Sequence, residues 1–221
     1  MRKGVFGQAV GAIDVERLPH ETGPVDFARL CGALIGRALA ERVGTYTLPQ
    51  LSERLSVPDG GVDAEYVTPE DLSLPETGGL IGPGRTVFQF KYRDIHRGNR
   101  SEIVKGLIRQ LREEFPGVAA YCDRYVLMTN IDLSGAQSRR LKETLAKSTP
   151  ASVGKQLVIW GAAEIALALN ATPHLRHLYF GRDGFCTLDV AEEELQSTYA
   201  KIGWPPFVDR EQELDAIAQF V

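Results

Sequence analysis

A layered α/β domain is what the sequence predicts, on two observations. Short apolar runs of strand length alternate with longer segments of helical period along most of the chain. The apolar share, 43% of 221 residues, is enough for a core at this length, and the charged share of 24% is ordinary for a soluble chain. No apolar run reaches the roughly 18 residues that a membrane span needs. The N-terminus, MRKGVFGQAVGAIDVERLPHE, meets acidic residues too early for a signal peptide. The three cysteines, Cys31, Cys122 and Cys186, are far apart and form no CxxC pair. Neither a zinc site nor a disulfide framework is therefore expected, and a reducing cytoplasm is.

Residues 26–42 put Phe27, Leu30, Cys31, Leu34 and Ala38 at helical spacing, behind Pro24 and a first-turn Asp26. GGVDAEYV at 60–67 runs from a turn into a strand. Residues 68–86 are rich in Pro and Gly and predict a long loop. VFQFKY at 87–92 is aromatic and alternating, hence a strand. Residues 99–115 predict a helix with Ile103, Leu107 and Leu111 on one side. RYVLMTN at 124–130 is a second apolar strand, and residues 134–148 form a helix capped by Ser134 and closed before Pro150. QLVIW at 156–160 reads as a buried strand ending in a core Trp160, and 161–170 as a helix ending at Asn170.

Charge is unevenly spread. The chain carries −4, but residues 189–221 hold eight acids against two bases, which leaves residues 1–188 at +2. Between 91 and 112 seven bases face only Asp94 and Glu102. Such a run is most simply a solvated helix face, or else a phosphate-binding one.

Alternation places Gln89 and Lys91 on one face of their strand, with Phe88, Phe90 and Tyr92 on the other. In 62–67 it places Asp63 and Glu65 together, opposite Val62, Ala64 and Tyr66. Side by side, the two strands gather an acid, an amide oxygen and an ammonium. A hard divalent cation takes oxygen ligands, here Asp63, the Gln89 amide oxygen and the backbone carbonyl of Phe90. Lys91 orients a water or offsets charge developing on phosphorus.

PDGGVDAEYV followed by FQFKY resembles the PD-(D/E)xK nuclease superfamily, in its Mrr-like branch where GxDGGxD precedes a Q-x-K strand. The resemblance covers roughly residues 24–180 and implies a restriction-endonuclease-like α/β/α sandwich with a central mixed sheet. It implies Asp63, Gln89 and Lys91 as the catalytic set and Mg²⁺ or Mn²⁺ as cofactor. That family often carries a Phe-Glu pair on its first helix; here Phe27 is followed by Ala28. Glu41 and Asp26 are the candidates to supply the missing acid, and Glu65 or Asp59 the candidates for a secondary ligand. With a nuclease site at the strand end, Arg93, Arg97, Arg100 and Lys105 become candidates to grip the backbone of double-stranded DNA without reading sequence.

FVDREQELDAI at 207–217 is similar to the F-V-G-R-E-x-E-L stretch that opens the nucleotide-binding domain of STAND and related AAA-type ATPases, with Asp209 in place of the usual Gly. No G-x-x-x-x-G-K-[ST] follows it, so the sequence reads as cut from a longer protein. The organisation expected is a nuclease effector over 1–188, then an acidic linker and the start of a STAND domain over 189–221. The resemblance implies a prokaryotic antiphage defence protein, a homo-oligomer answering a phage-derived trigger. Two rivals stand beside it: a modification-dependent restriction subunit, and a nuclease fold kept as a non-catalytic binding or oligomerisation module. The remaining motifs say less. GGLIGPG at 78–84 precedes a strand rather than a helix, and His174 and His177 read as a surface helix end.

Overall fold

The strand at the centre of the sheet is set by its alternation. In β3 (Arg85–Lys91), Phe88 and Phe90 pack on one face and Val87 on the other, so both faces must be covered. The computed structural model describes residues 9–18, 23–43, 50–51, 62–69, 79–95 and 98–180. Around β3 the chain lays down α1 (Ala12–Glu16), α2 (Gly23–Val43), β1 (Gln50–Leu51) and β2 (Ala64–Val67). After β3 come α3 (Arg100–Ala119), β4 (Arg124–Thr129), α4 (Gly135–Ala146), β5 (Gln156–Trp160), α5 (Ala162–Asn170) and α6 (Pro173–Phe180).

The sheet is mixed, in the order β1-β2-β3-β4-β5. β1, β2 and β3 pair antiparallel; β3, β4 and β5 pair parallel. Parallel neighbours need crossovers, and α3 and α4 supply them. Their buried Leu107, Leu111, Phe115, Leu141 and Leu145 meet Val87, Tyr125 and Leu127 on one face of the sheet. The other face carries Phe27, Leu30 and Leu34 of α2, with Val15 of α1, Ile165 and Leu169 of α5 and Leu175 of α6. Helices thus cover both faces of a mixed sheet.

β4 is buried at every residue, as an internal strand covered on both faces should be. β5 differs from expectation. It is half-buried throughout, because it is the edge strand and lacks a neighbour on one side. Helix α1 was not foreseen, being too short at five residues to show a period, whereas α6 holds the helical His174 and His177 that the sequence places at a helix end. Gly84 has φ +73° where Thr68 N–H meets its carbonyl, and a Cβ there would strike the Asp123 carboxylate. The loop expected over 68–86 lies partly outside the described residues, but its end is core: Leu80 and Ile81 are buried. The acidic linker and STAND-like stretch lie wholly outside them.

Asn130, fully buried at the end of β4, fixes where the chain goes after β3. Its Oδ1 accepts Arg93 N–H at 2.7 Å and its Nδ2 donates to the Arg93 carbonyl at 2.8 Å. The side-chain amide copies a rung of the ladder one step past the last strand pair. Asn130→Ala leaves a donor and an acceptor without partners at that turn. It is expected to cost about 2 kcal/mol of stability by urea unfolding, against near zero for the exposed Lys142→Ala.

Candidate active site

Asp63 precedes β2 and sits one step off the ladder. Ala64 is registered with Phe88, yet Asp63 N–H donates to the Phe88 carbonyl at 3.0 Å. Its carboxylate then takes the place of a missing strand: Asp63 Oδ2 accepts Phe90 N–H at 2.6 Å. In an extended strand the N–H and C=O of one residue leave on the same edge. The Phe90 carbonyl therefore leaves β3 on the Asp63 edge. Asp63, Phe90, Lys91, Tyr92, Arg93 and Gln110 line one shallow cleft of about 210 Å³, walled by Phe27 and Ala28 of α2.

Behind Lys91 stands a residue that the sequence reading missed. Glu114 of α3 holds the Lys91 ammonium, Nζ to Oε2 at 2.8 Å. The same Oε2 accepts Gln89 Nε2, and Oε1 accepts Gln110 Nε2 at 2.6 Å. Burial pushes the Glu114 carboxyl up; donation from Lys91 and Gln110, the Lys91 charge and donation from Gln89 more than reverse it, leaving it below its ordinary value. Gln110 in turn accepts an Arg93 guanidinium N–H. Burial lowers the Arg93 guanidinium and the Glu114 charge opposes that. The available signal was the i, i+4 pair Gln110 and Glu114, on the α3 face turned to the Q-x-K strand.

Gln89 needs correcting. It is fully buried, and its amide oxygen accepts the Tyr125 hydroxyl instead of facing the cleft. The assignment cannot be flipped, because an ionised Glu114 only accepts and must face the NH₂ group. Burial, then the Glu114 and Asp63 charges and Cys122, hold the Tyr125 hydroxyl well above its ordinary value, so it stays a donor. The Gln89 oxygen is thus turned away from the cleft, and its NH₂ group positions Glu114. Glutamate at this place would set two carboxylates against each other.

The candidates for the missing acid and for a secondary ligand fare poorly. Glu41 pairs with Arg37 at 2.7 Å, and thirteen residues of helix put it roughly 20 Å from Ala28 along α2. Glu65 is registered with Val87, two residues and roughly 7 Å from Gln89, and does not line the cleft. Asp26 does not line it either, and Asp59 lies outside the described residues. Position 28 does face the cleft, but as alanine it brings no oxygen.

Of the four bases expected on DNA, Arg93 lines the cleft. Arg97 lies outside the described residues. Arg100 is committed elsewhere. Its guanidinium meets the buried Glu16 carboxylate at 2.7 Å and the Asp132 carbonyl at 2.6 Å, tying α1 to α3. Lys105 pairs with Glu102 at 2.8 Å on an exposed turn of α3.

Among the described residues no three His, Cys, Asp or Glu side chains gather as a metal cluster. The donors that do fit a cation are the Asp63 carboxylate and the Phe90 carbonyl. Two oxygens suit a magnesium-sized ion, which keeps several waters and shares substrate phosphates. Among the described residues no helix is long and apolar enough to cross a membrane. The chain matches no protein-family model, no curated protein and no solved structure.

The Glu114 carboxyl predicts a pH signature. Its folded value is depressed, so the stability it adds is whole above the unfolded value of about 4.3 and is lost as pH falls through the folded one. Glu114→Gln should destabilise the protein at pH 7, by an amount that shrinks as pH drops below about 4.3. Urea midpoints for both chains from pH 7 to pH 3 would check this; a constant difference would mean that the carboxylate charge is not the cause.

Proposed function

We propose that the domain is a metal-dependent nuclease of the restriction-endonuclease-like class, hydrolysing phosphodiester bonds in DNA. What carries the reading is one juxtaposition: Asp63, the edge of β3 bearing the Phe90 carbonyl, and Lys91 in a single cleft. Asp63 and the Phe90 carbonyl bind Mg²⁺ or Mn²⁺. When bound, the ion polarises a phosphate and acidifies a water. Lys91 donates toward a phosphate oxygen as negative charge gathers there, and Glu114 keeps the ammonium aimed until substrate arrives. Arg93, steadied by Gln110 and Asn130, holds the neighbouring phosphate. Phe27 and Tyr92, with ring centroids 6.2 Å apart, keep bulk water from that side.

The FVDREQELDAI stretch supports a wider proposal, that the domain is the effector of a cytoplasmic prokaryotic antiphage defence protein. A duplex break needs two cuts and the described residues of each chain offer one cleft with Asp63 and Lys91, so a homo-oligomer answering a phage-derived trigger fits the chemistry. The non-catalytic reading has an observation on its side too. Lys91 is already paired with Glu114, and the Gln89 oxygen is taken by Tyr125.

Plasmid nicking in Mg²⁺ decides between them. Asp63→Ala and Lys91→Ala should each lower the rate at least about 100-fold while thermal unfolding stays cooperative. Cleavage at the parent rate by either variant would displace the site. No cleavage by the parent chain in Mg²⁺ or Mn²⁺, fused to an oligomerising partner, would favour the binding module.

A further inference from the structure

A second basic feature lies across α3 from the cleft. A groove of about 500 Å³ runs between α3 and α4, and its charged lining is Lys105, Arg109, Arg112 and Arg140. No acidic side chain lines it. Elsewhere the bases of this face are spoken for, Lys91 by Glu114 and Arg100 by Glu16. Among the described residues, no ion pair involves the guanidinium groups of Arg109, Arg112 or Arg140. All three side chains are exposed. Lys105, Arg109 and Arg112 recur at i, i+4 and i+7, which stacks like charges on one stripe of α3. Helix stability alone disfavours that stacking.

We infer that the α3–α4 groove binds the sugar-phosphate backbone of nucleic acid. The stripe from Lys105 to Arg112 is roughly 10 Å long, and one strand of a duplex presents a phosphate charge about every 3.4 Å of axis. Arg109 and Arg112 thus face successive phosphates, with Arg140 closing from α4 and Lys105, paired with Glu102 at 2.8 Å, at the groove's end. Guanidinium groups bind phosphate oxygens two at a time. The neutral lining adds Ser101, Gln137 and Thr144, side chains of the kind that commonly contact phosphate and sugar. Arg109 also lines a neighbouring depression that includes Arg93 and Gln110, both of which line the Lys91 cleft. The groove so extends the proposed nuclease reading by giving the strand a track beyond the cleft. That depression also contains Asp94 and Glu113, so the grip belongs to the groove itself.

The test reads binding and not cleavage, with metal chelated, so that failure of the nuclease reading leaves it intact. The probe is a labelled 20-base-pair duplex of mixed sequence, followed by fluorescence anisotropy across a salt series. Arg109→Gln, Arg112→Gln and Arg140→Gln should each reduce the slope of log K against log salt by about 0.9, and the triple variant by about 2.7. Arg139→Gln, also on α4 and exposed but outside the groove, should leave the slope unchanged. The inference is overturned if the parent chain fails to bind the duplex at low salt. It also fails if the groove variants keep the parent slope, or if Arg139→Gln matches them. A groove that instead holds a synthetic acidic peptide copying residues 189–221, with DNA binding untouched by the substitutions, would make it a protein-docking surface and overturn it as well.

Discussion

The Glu114 carboxylate is where two layers of this molecule meet chemically. It projects from α3 onto the sheet and accepts from Lys91, Gln89 and Gln110 at once. A half-buried carboxylate must find donors, and three nearby groups supply them. The consequences run outward. Gln89 is locked with its oxygen on Tyr125, Lys91 is held at the cleft, and Gln110 is set to receive Arg93. Remove the carboxylate and Lys91 loses its ion-pair partner, while Gln89 and Gln110 are each left with one hydrogen-bond partner, Tyr125 and Arg93. The network also fixes the Lys91 ammonium at the cleft through its carboxylate partner.

The other half of the site follows from a short strand. β2 begins at Ala64, so β3 continues beyond it with an unpaired edge. Asp63 covers that edge with its side chain, and the same arrangement gathers a carboxylate and a main-chain carbonyl beside Lys91. The absence of an acid at Ala28 leaves this pair without the third oxygen that the resembled family usually provides from its first helix.

Much of this was legible in the sequence. Alternation in 87–92 correctly separated Gln89 and Lys91 from Phe88 and Phe90, because side-chain period in a strand is fixed by the pleat. The crossover helices were legible from their long apolar stripes. Other features were not. Glu114 is twenty-three residues from Lys91 in sequence, and only the crossover of α3 brings them together. The Gln89 orientation depends on Tyr125 from the next strand and on Glu114 from the covering helix, both long-range partners. Arg100 looked like a phosphate contact because its partner, Glu16, belongs to a five-residue helix with no readable period. The half-buried state of β5 reflects its place in the sheet order, which hydrophobicity alone does not reveal.

The central proposal is that Asp63 holds a divalent ion at the end of β3 while Gln89 does not. Titration of Mn²⁺ followed by electron paramagnetic resonance, in the presence of a short duplex, tests it directly. The account predicts that Asp63→Asn abolishes the bound-ion signal and that Gln89→Leu, in chains that remain folded, retains it at a somewhat weaker affinity. A Mn²⁺ signal unchanged in Asp63→Asn, or lost in Gln89→Leu while Asp63 is intact, would contradict it.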